Sequence, residues 1–353
     1  MKLLKLTMYL IIAGTVNLQC TSEQKTGNRE DTNDREPSDA KEKLLTTNDI
    51  RIRDPFVLAD SVTGKYYMYA QMDNRLGGRG NPNKPKGVEV YVSSDLEHWE
   101  YPETVLLLPE DFWGRNMVWA PEVHAHNGQY YLFATITSYD TLSHLKRPEG
   151  VTEWPSFFKR GTQIFVADSP MGPFKWFSNE SHTPTDWMAL DGTLWEEDGK
   201  PYMIFCHEWV EIIDGTMDYV ELKKDLSGTI GAPELMFKAS DAPWVGERSS
   251  YVTDGCYLYR TKDGVLLMIW SSFGAEGYAI GIVESESGKL RGPWKHQDKL
   301  LFHKNGGHGM IFRNFNNQLI MTLHQPNSPR GEERAKFFKL EDSGNTLNLL
   351  EIN

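Results

Sequence analysis

One short pattern, a strand, a tight turn and a more apolar strand, returns five times along this chain, and that repetition constrains the fold more than any other feature of the sequence. The first copy runs from Asp54-Pro55-Phe56-Val57-Leu58 through Thr63-Gly64 to Tyr66-Tyr67-Met68-Tyr69. The second leads from Pro121-Glu122-Val123-His124-Ala125 through Asn127-Gly128 to Tyr130-Tyr131-Leu132-Phe133, and the third from Asp191-Gly192-Thr193-Leu194-Trp195 through Asp198-Gly199 to Tyr202-Met203-Ile204-Phe205. A fourth starts at Asp254 and turns at Asp263-Gly264, and a fifth starts at His308 and turns at Asn316-Asn317. Asn-Gly and Asp-Gly are the dipeptides that two-residue hairpins select, because both central residues need positive φ. A Ser-initiated motif closes the outer half of several copies: Ser94-Asp95-Leu96 to Trp99, Ser169-Pro170 to Phe174, and Ser287-Gly288 to Trp294. Each unit therefore holds about four strands. Four strands recurring about every 55 to 70 residues predict an all-β fold, a five-bladed β-propeller with four-stranded blades around a central channel. An array of immunoglobulin-like sandwiches would need about 100 residues per domain, with linkers between them.

The residues ahead of the repeats read differently. Lys2 and Lys5 precede an apolar run, Leu6 to Val16, that is too short to span a bilayer. This predicts a signal peptide over residues 1–19, and Cys20 directly after it predicts lipid attachment. Residues 20–47 are mostly polar and charged, as expected of a flexible lipoprotein tether, which leaves 48–353 for the propeller. The expected location is outside the cytoplasm, anchored in the outer membrane or at the periplasmic face of a Gram-negative cell. Cys206 and Cys256 sit in apolar strand-like runs and are expected to be buried and unpaired.

A formal net charge of -12 argues against nucleic acid as a partner, since phosphate binding requires clustered Lys and Arg. The 11 Trp, 15 Tyr and 16 Phe suit the stacking of sugar rings, so an oligo- or polysaccharide is the expected ligand of a monomeric protein.

In a propeller the innermost strand of every blade lines the channel, so equivalent positions converge. Asp54, Glu122, Asp191, Asp254 and His308 all stand near the start of a copy. Taken singly, Asp-Pro and Asp-Gly are common turn dipeptides. Their shared phase is what turns them into a candidate site, because carboxylates brought close together raise one another's pKa. Glycosidic bond cleavage uses such a pair: one carboxylate activates water, and a second, kept protonated, donates to the leaving oxygen.

Several stretches resemble glycoside hydrolase family 43, and the resemblance covers the chain from about Arg51 onward. Arg53-Asp54-Pro55-Phe56 resembles the family's opening motif, Trp119-Ala120-Pro121-Glu122-Val123 its second-blade signature, and Leu190-Asp191-Gly192 with Glu197 to Tyr202 the segment of its third carboxylate. The resemblance implies Asp54 as general base, Asp191 as the residue that tunes and orients the acid, and Asp254 as the acid. Thr253-Asp254-Gly255-Cys256 departs from the usual Glu-Gly-Pro, so Glu247 is retained as an alternative acid. Gly306-Gly307-His308-Gly309 is similar to the motif whose histidine faces the channel and helps to hold a hydrated calcium ion, although no cofactor is required for the chemistry.

The expected substrate-binding residues are Phe56, Trp119, Glu122, Trp270, His308, His324 and Arg330. The activity implied is exo-acting, inverting hydrolysis of a terminal sugar from plant polysaccharide side chains. α-L-Arabinofuranose comes first, then β-xylose or β-galactose, with the carboxyl groups roughly 6.5–9.5 Å apart to admit water. A non-catalytic glycan-binding propeller at the cell surface is the alternative.

Overall fold

Each of the five repeats folds into an antiparallel sheet whose strands follow chain order from the channel outward. The structure, a computed structural model, describes residues 44–77, 80–246 and 248–350. The predicted signal peptide, Cys20, most of the tether and Glu247 lie outside the described residues.

Blade 1 comprises Phe56–Asp60, Lys65–Gln71, Gly87–Ser93 and His98–Trp99, with Glu103–Leu107 pairing on its third strand. Blade 2 comprises Met117–His126, Gln129–Thr141, Phe158–Ala167 and Lys175–Trp176. Blade 3 is Ala189–Glu197, Lys200–His207, Thr216–Leu222 and Thr229–Lys238, and blade 4 is Asp254–Arg260, Leu266–Gly274, Gly277–Ser285 and Trp294–His296. Blade 5 ends the ring with Gly307–Arg313, Leu319–Gln325, Arg334–Asp342 and Leu347–Leu349.

The inner hairpins turn where the sequence predicts. Asn127-Gly128 and Asp198-Gly199 both carry positive φ at their two central residues, 48° and 81° in the first and 52° and 75° in the second. Inner strands of adjacent blades touch in sequence, and that of blade 5 returns to that of blade 1. The chain before blade 1 fastens this closure: the Ile52 N–H donates to the Glu333 carbonyl at 3.1 Å, and Arg334 Nε donates to the Asn48 carbonyl at 2.8 Å. Leu45–Thr46 already pairs with the outer strand of blade 1, so the sheet begins three residues before the expected boundary at 48.

Apolar side chains between neighbouring sheets form the core. Tyr69, Trp99, Phe133, Phe165, Phe205 and Trp270 are among the largest side chains that are completely enclosed. Cys206 and Cys256 are free and buried. The Cys256 thiol lies 3.2 Å from the Asp191 carbonyl, so it braces the inner strand of the neighbouring blade.

Candidate active site

The five inner strands share a backbone device that the sequence does not announce. Asp54, Ala120, Asp191, Gly255 and His308 have φ of 54°, 41°, 55°, 54° and 52°, so one residue at the head of each inner strand is left-handed. In blades 2 to 5 the same place carries a register shift: Trp119/Glu122, Leu190/Thr193, Asp254/Tyr257 and Gly307/Met310. A bulge of this kind re-aims side chains at the mouth of a channel. Left-handed backbone strains a residue with a Cβ by about 1–2 kcal/mol, a cost found where position serves function.

This register refines the set read from sequence. Asp54, Asp191 and His308 are true equivalents, Asp254 stands one residue before its blade's left-handed position, and Glu122 two residues after. Asp54, Asp191, Asp254, His308, Trp119 and Arg330 line one cavity of about 240 Å³ on the channel axis. Glu122 does not line it. Its carboxylate faces His124 Nε2 at 3.0 Å, although its charge still reaches Asp191 and His308.

Two aromatic expectations are corrected. Trp270 is fully buried, packed on Trp244 and Phe237 with ring centroids 4.8 and 5.3 Å away, because its strand directs that side chain between blades 3 and 4. Phe56 meets His124 edge to face at 5.1 Å and lines a different cavity, with Tyr257 and Met310, because it stands two residues beyond the left-handed Asp54. His324 is fully enclosed and reaches no ligand space. Its Nδ1 lies 3.0 Å from the Asp54 carboxylate and fixes that group.

The electrostatics separate the three aspartates. Burial would raise the Asp54 pKa, but His308 Nδ1 at 3.4 Å, His324 and Arg53 Nε at 3.9 Å hold it well below the usual carboxylate range. Burial and the nearby Asp54 push Asp191 up to about 6, with the Gly255 N–H at 3.1 Å and His308 pulling the other way. Burial and the charge of Asp191 push Asp254 up to about 8, against the opposing effects of His308 and of the Tyr278 hydroxyl, which donates to Oδ2 at 2.9 Å. One group is thus kept ionised, and another across the same cavity kept protonated, at neutral pH.

Gly255 makes this approach possible. A Cβ there would lie 2.8 Å from His308 Cα, on backbone already at positive φ. Gly255→Ala is expected to cost about 2–5 kcal/mol from strain and overpacking together, read as a lower melting temperature; an unchanged melting temperature would contradict the packing described.

Sequence reasoning missed Arg51, Arg53, Gln71, Asp73, Asn74, Glu208, Trp209, Tyr278 and Glu333 as parts of the cavity wall. Gln71 and the Glu208-Trp209 pair stand where the second strand of a blade returns to the channel mouth. Arg330, which also follows the second strand of its blade, lines the cavity from an equivalent place. Glu208 accepts from Arg160 Nη1 at 2.5 Å, and the Arg160 guanidinium lies 4.7 Å from the Trp119 ring centre, so one cation orders two lining side chains. Trp154, from the long loop of blade 2, meets Trp209 edge to face at 5.4 Å. For calcium, the fit is indirect at most. His308 Nδ1 is turned toward two carboxylates, and among the described residues no group of three or more His, Cys, Asp or Glu is placed to hold a metal ion.

A family model described as Glycosyl hydrolases family 43 matches residues 47–340. The chain belongs to that family. Among solved structures, this family 43 glycoside hydrolase is similar to an endo-arabinase from Bacteroides thetaiotaomicron VPI-5482. The two share 39% identity and a TM-score of 0.73, over 86% of this chain and 99% of the other. It is 22% identical to the extracellular endo-alpha-(1->5)-L-arabinanase 1 of Bacillus subtilis (strain 168), over 58% of this chain and 62% of that protein. It is 24% identical to the probable arabinan endo-1,5-alpha-L-arabinosidase C of Aspergillus fumigatus, over 66% of each. The matches to these two curated relatives span less than two thirds of their length.

Proposed function

We propose that this family 43 enzyme hydrolyses α-1,5-linked L-arabinan by a single displacement with inversion. Asp54 is the base that activates water, Asp254 the acid that protonates the leaving oxygen, and Asp191 the carboxylate that keeps Asp254 protonated. The observation that carries this reading is the placing of Asp54 and Asp254 in one cavity with opposite surroundings: His308 and His324 lie against Asp54 and favour its ionised form, while burial and the charge of Asp191 raise Asp254 to about 8. A glycan-binding module has no need of a protonated acid facing an ionised base, which weighs against the non-catalytic alternative. The names of the relatives move the proposal from release of terminal arabinofuranose toward cleavage within the chain.

Digestion of linear arabinan tests both parts. Internal cleavage yields a ladder of oligosaccharides and an early fall in viscosity; arabinose as sole product would restore the terminal-release reading, and binding without turnover would favour the module.

The pH profile has a predicted shape. Asp254 must carry its proton, so kcat is expected to fall as pH rises through about 8. Asp54 must be ionised, and its lowered pKa places the acid limb below the usual carboxylate range. A profile that is flat from neutrality to pH 10 would contradict Asp254 as the acid.

The exported location and the anchor at Cys20 belong to the same proposal and rest on the sequence of residues 1–20. Retention in the membrane fraction, lost in Cys20→Ala, is the expected result; an unchanged distribution would contradict the anchor.

A further inference from the structure

We infer that Tyr278 is the positioning residue that fixes which oxygen of Asp254 carries the catalytic proton and ties the acid to the base. The inference rests on the proposed roles of Asp54 and Asp254. The Tyr278 hydroxyl donates to Asp254 Oδ2 at 2.9 Å. An oxygen that accepts this bond is the carbonyl oxygen of the neutral acid, so the acid proton resides on Oδ1. Asp254 is one methylene shorter than a glutamate and has little reach with which to correct a wrong orientation, so an external hydrogen bond has more to set.

The ring of Tyr278 is itself held in place. It lies nearly parallel to the His324 ring, with centroids 5.8 Å apart and an interplanar angle of 22°. On another side Gly307 leaves room for it: a Cβ there would come 2.4 Å from the ring. Tyr278 is 2% exposed, yet it lines the cavity. His324 bonds the Asp54 carboxylate at 3.0 Å, so a single packed stack runs from the base through His324 and Tyr278 to the acid. Burial and the charge of Asp254 hold the phenol well above its ordinary pKa, so it stays a donor at every working pH.

Tyr278→Phe removes the hydroxyl and keeps the packing ring. On linear arabino-oligosaccharides, whose leaving alcohol needs a proton, kcat is expected to fall about 10- to 100-fold, part of the range spanned by general acid catalysis. On nitrophenyl arabino-oligosaccharides, whose leaving group departs without one, the change is expected to stay within about threefold. The alkaline limb is expected to move up, because the lost bond had favoured the ionised form of Asp254. In an Asp254→Ala background, Tyr278→Phe is expected to add no further loss, because the residue acts through the acid.

Equal losses on both substrates with an unmoved alkaline limb, or losses that multiply in the double variant, would overturn the assignment and leave Tyr278 a packing residue. A wild-type protein inert on both substrates would instead sink the functional reading, and this assignment with it.

Discussion

Asn in place of Asp54 is expected to lower kcat on arabinan by about 10²- to 10⁴-fold, the range that a positioned general base supplies, while the dissociation constant for an arabino-oligosaccharide stays within about threefold. The amide fills the same space but cannot accept a proton from water. Its backbone position survives, because the left-handed conformation at 54 is one that Asn tolerates as well as Asp. The charge balance of the site changes as well. Asp54 raises the pKa of His308, Asp191 and Asp254, so its removal lets Asp254 ionise at lower pH. Residual activity of the variant is therefore expected to show an alkaline limb moved down, opposite to that of Tyr278→Phe. Calorimetric titration alongside initial rates separates lost chemistry from lost binding. A variant within tenfold of wild type in kcat would remove Asp54 from the mechanism.

Asp254→Ala carries the second large effect. The loss is expected to reach about 10²- to 10⁴-fold on unactivated oligosaccharides and to be several-fold or less on nitrophenyl analogues. The fall in activity through pH 8 is expected to vanish, since the group that titrates there is gone. If Glu247 were the acid, Asp254→Ala would keep the alkaline limb and Glu247→Ala would abolish it. The two variants measured side by side thus decide between them, and the limb is expected to follow Asp254.

Much of this architecture was legible in the residues. Hairpin turns at Asn127-Gly128 and Asp198-Gly199 are dictated by local backbone preference, which a sequence records directly. Five such units at propeller spacing left one closed arrangement, and closure carried Asp54, Asp191, Asp254 and His308 to a common opening. Local order did not encode which way a side chain points near the channel. Phe56 lies on an inner strand and Trp270 on a second strand, and only the register decides whether such a ring meets the cavity or the interior. Glu122 was misplaced for the same reason, two residues beyond Ala120. Tyr278 lies on a third strand, far in sequence from any motif, and enters the site through the packing of blade 4 against blade 5. Glu208 and Trp209 follow the end of a second strand, as Arg330 follows that of blade 5, so position after such a strand is the signal that would have found them.

In the proposed mechanism water attacks the sugar directly, with Asp54 and Asp254 on opposite sides of the bond. Proton NMR of the first-formed sugar, recorded before mutarotation, tests this most directly. Inverted anomeric configuration is the predicted result, and retention would mean a covalent glycosyl intermediate and the end of this mechanism.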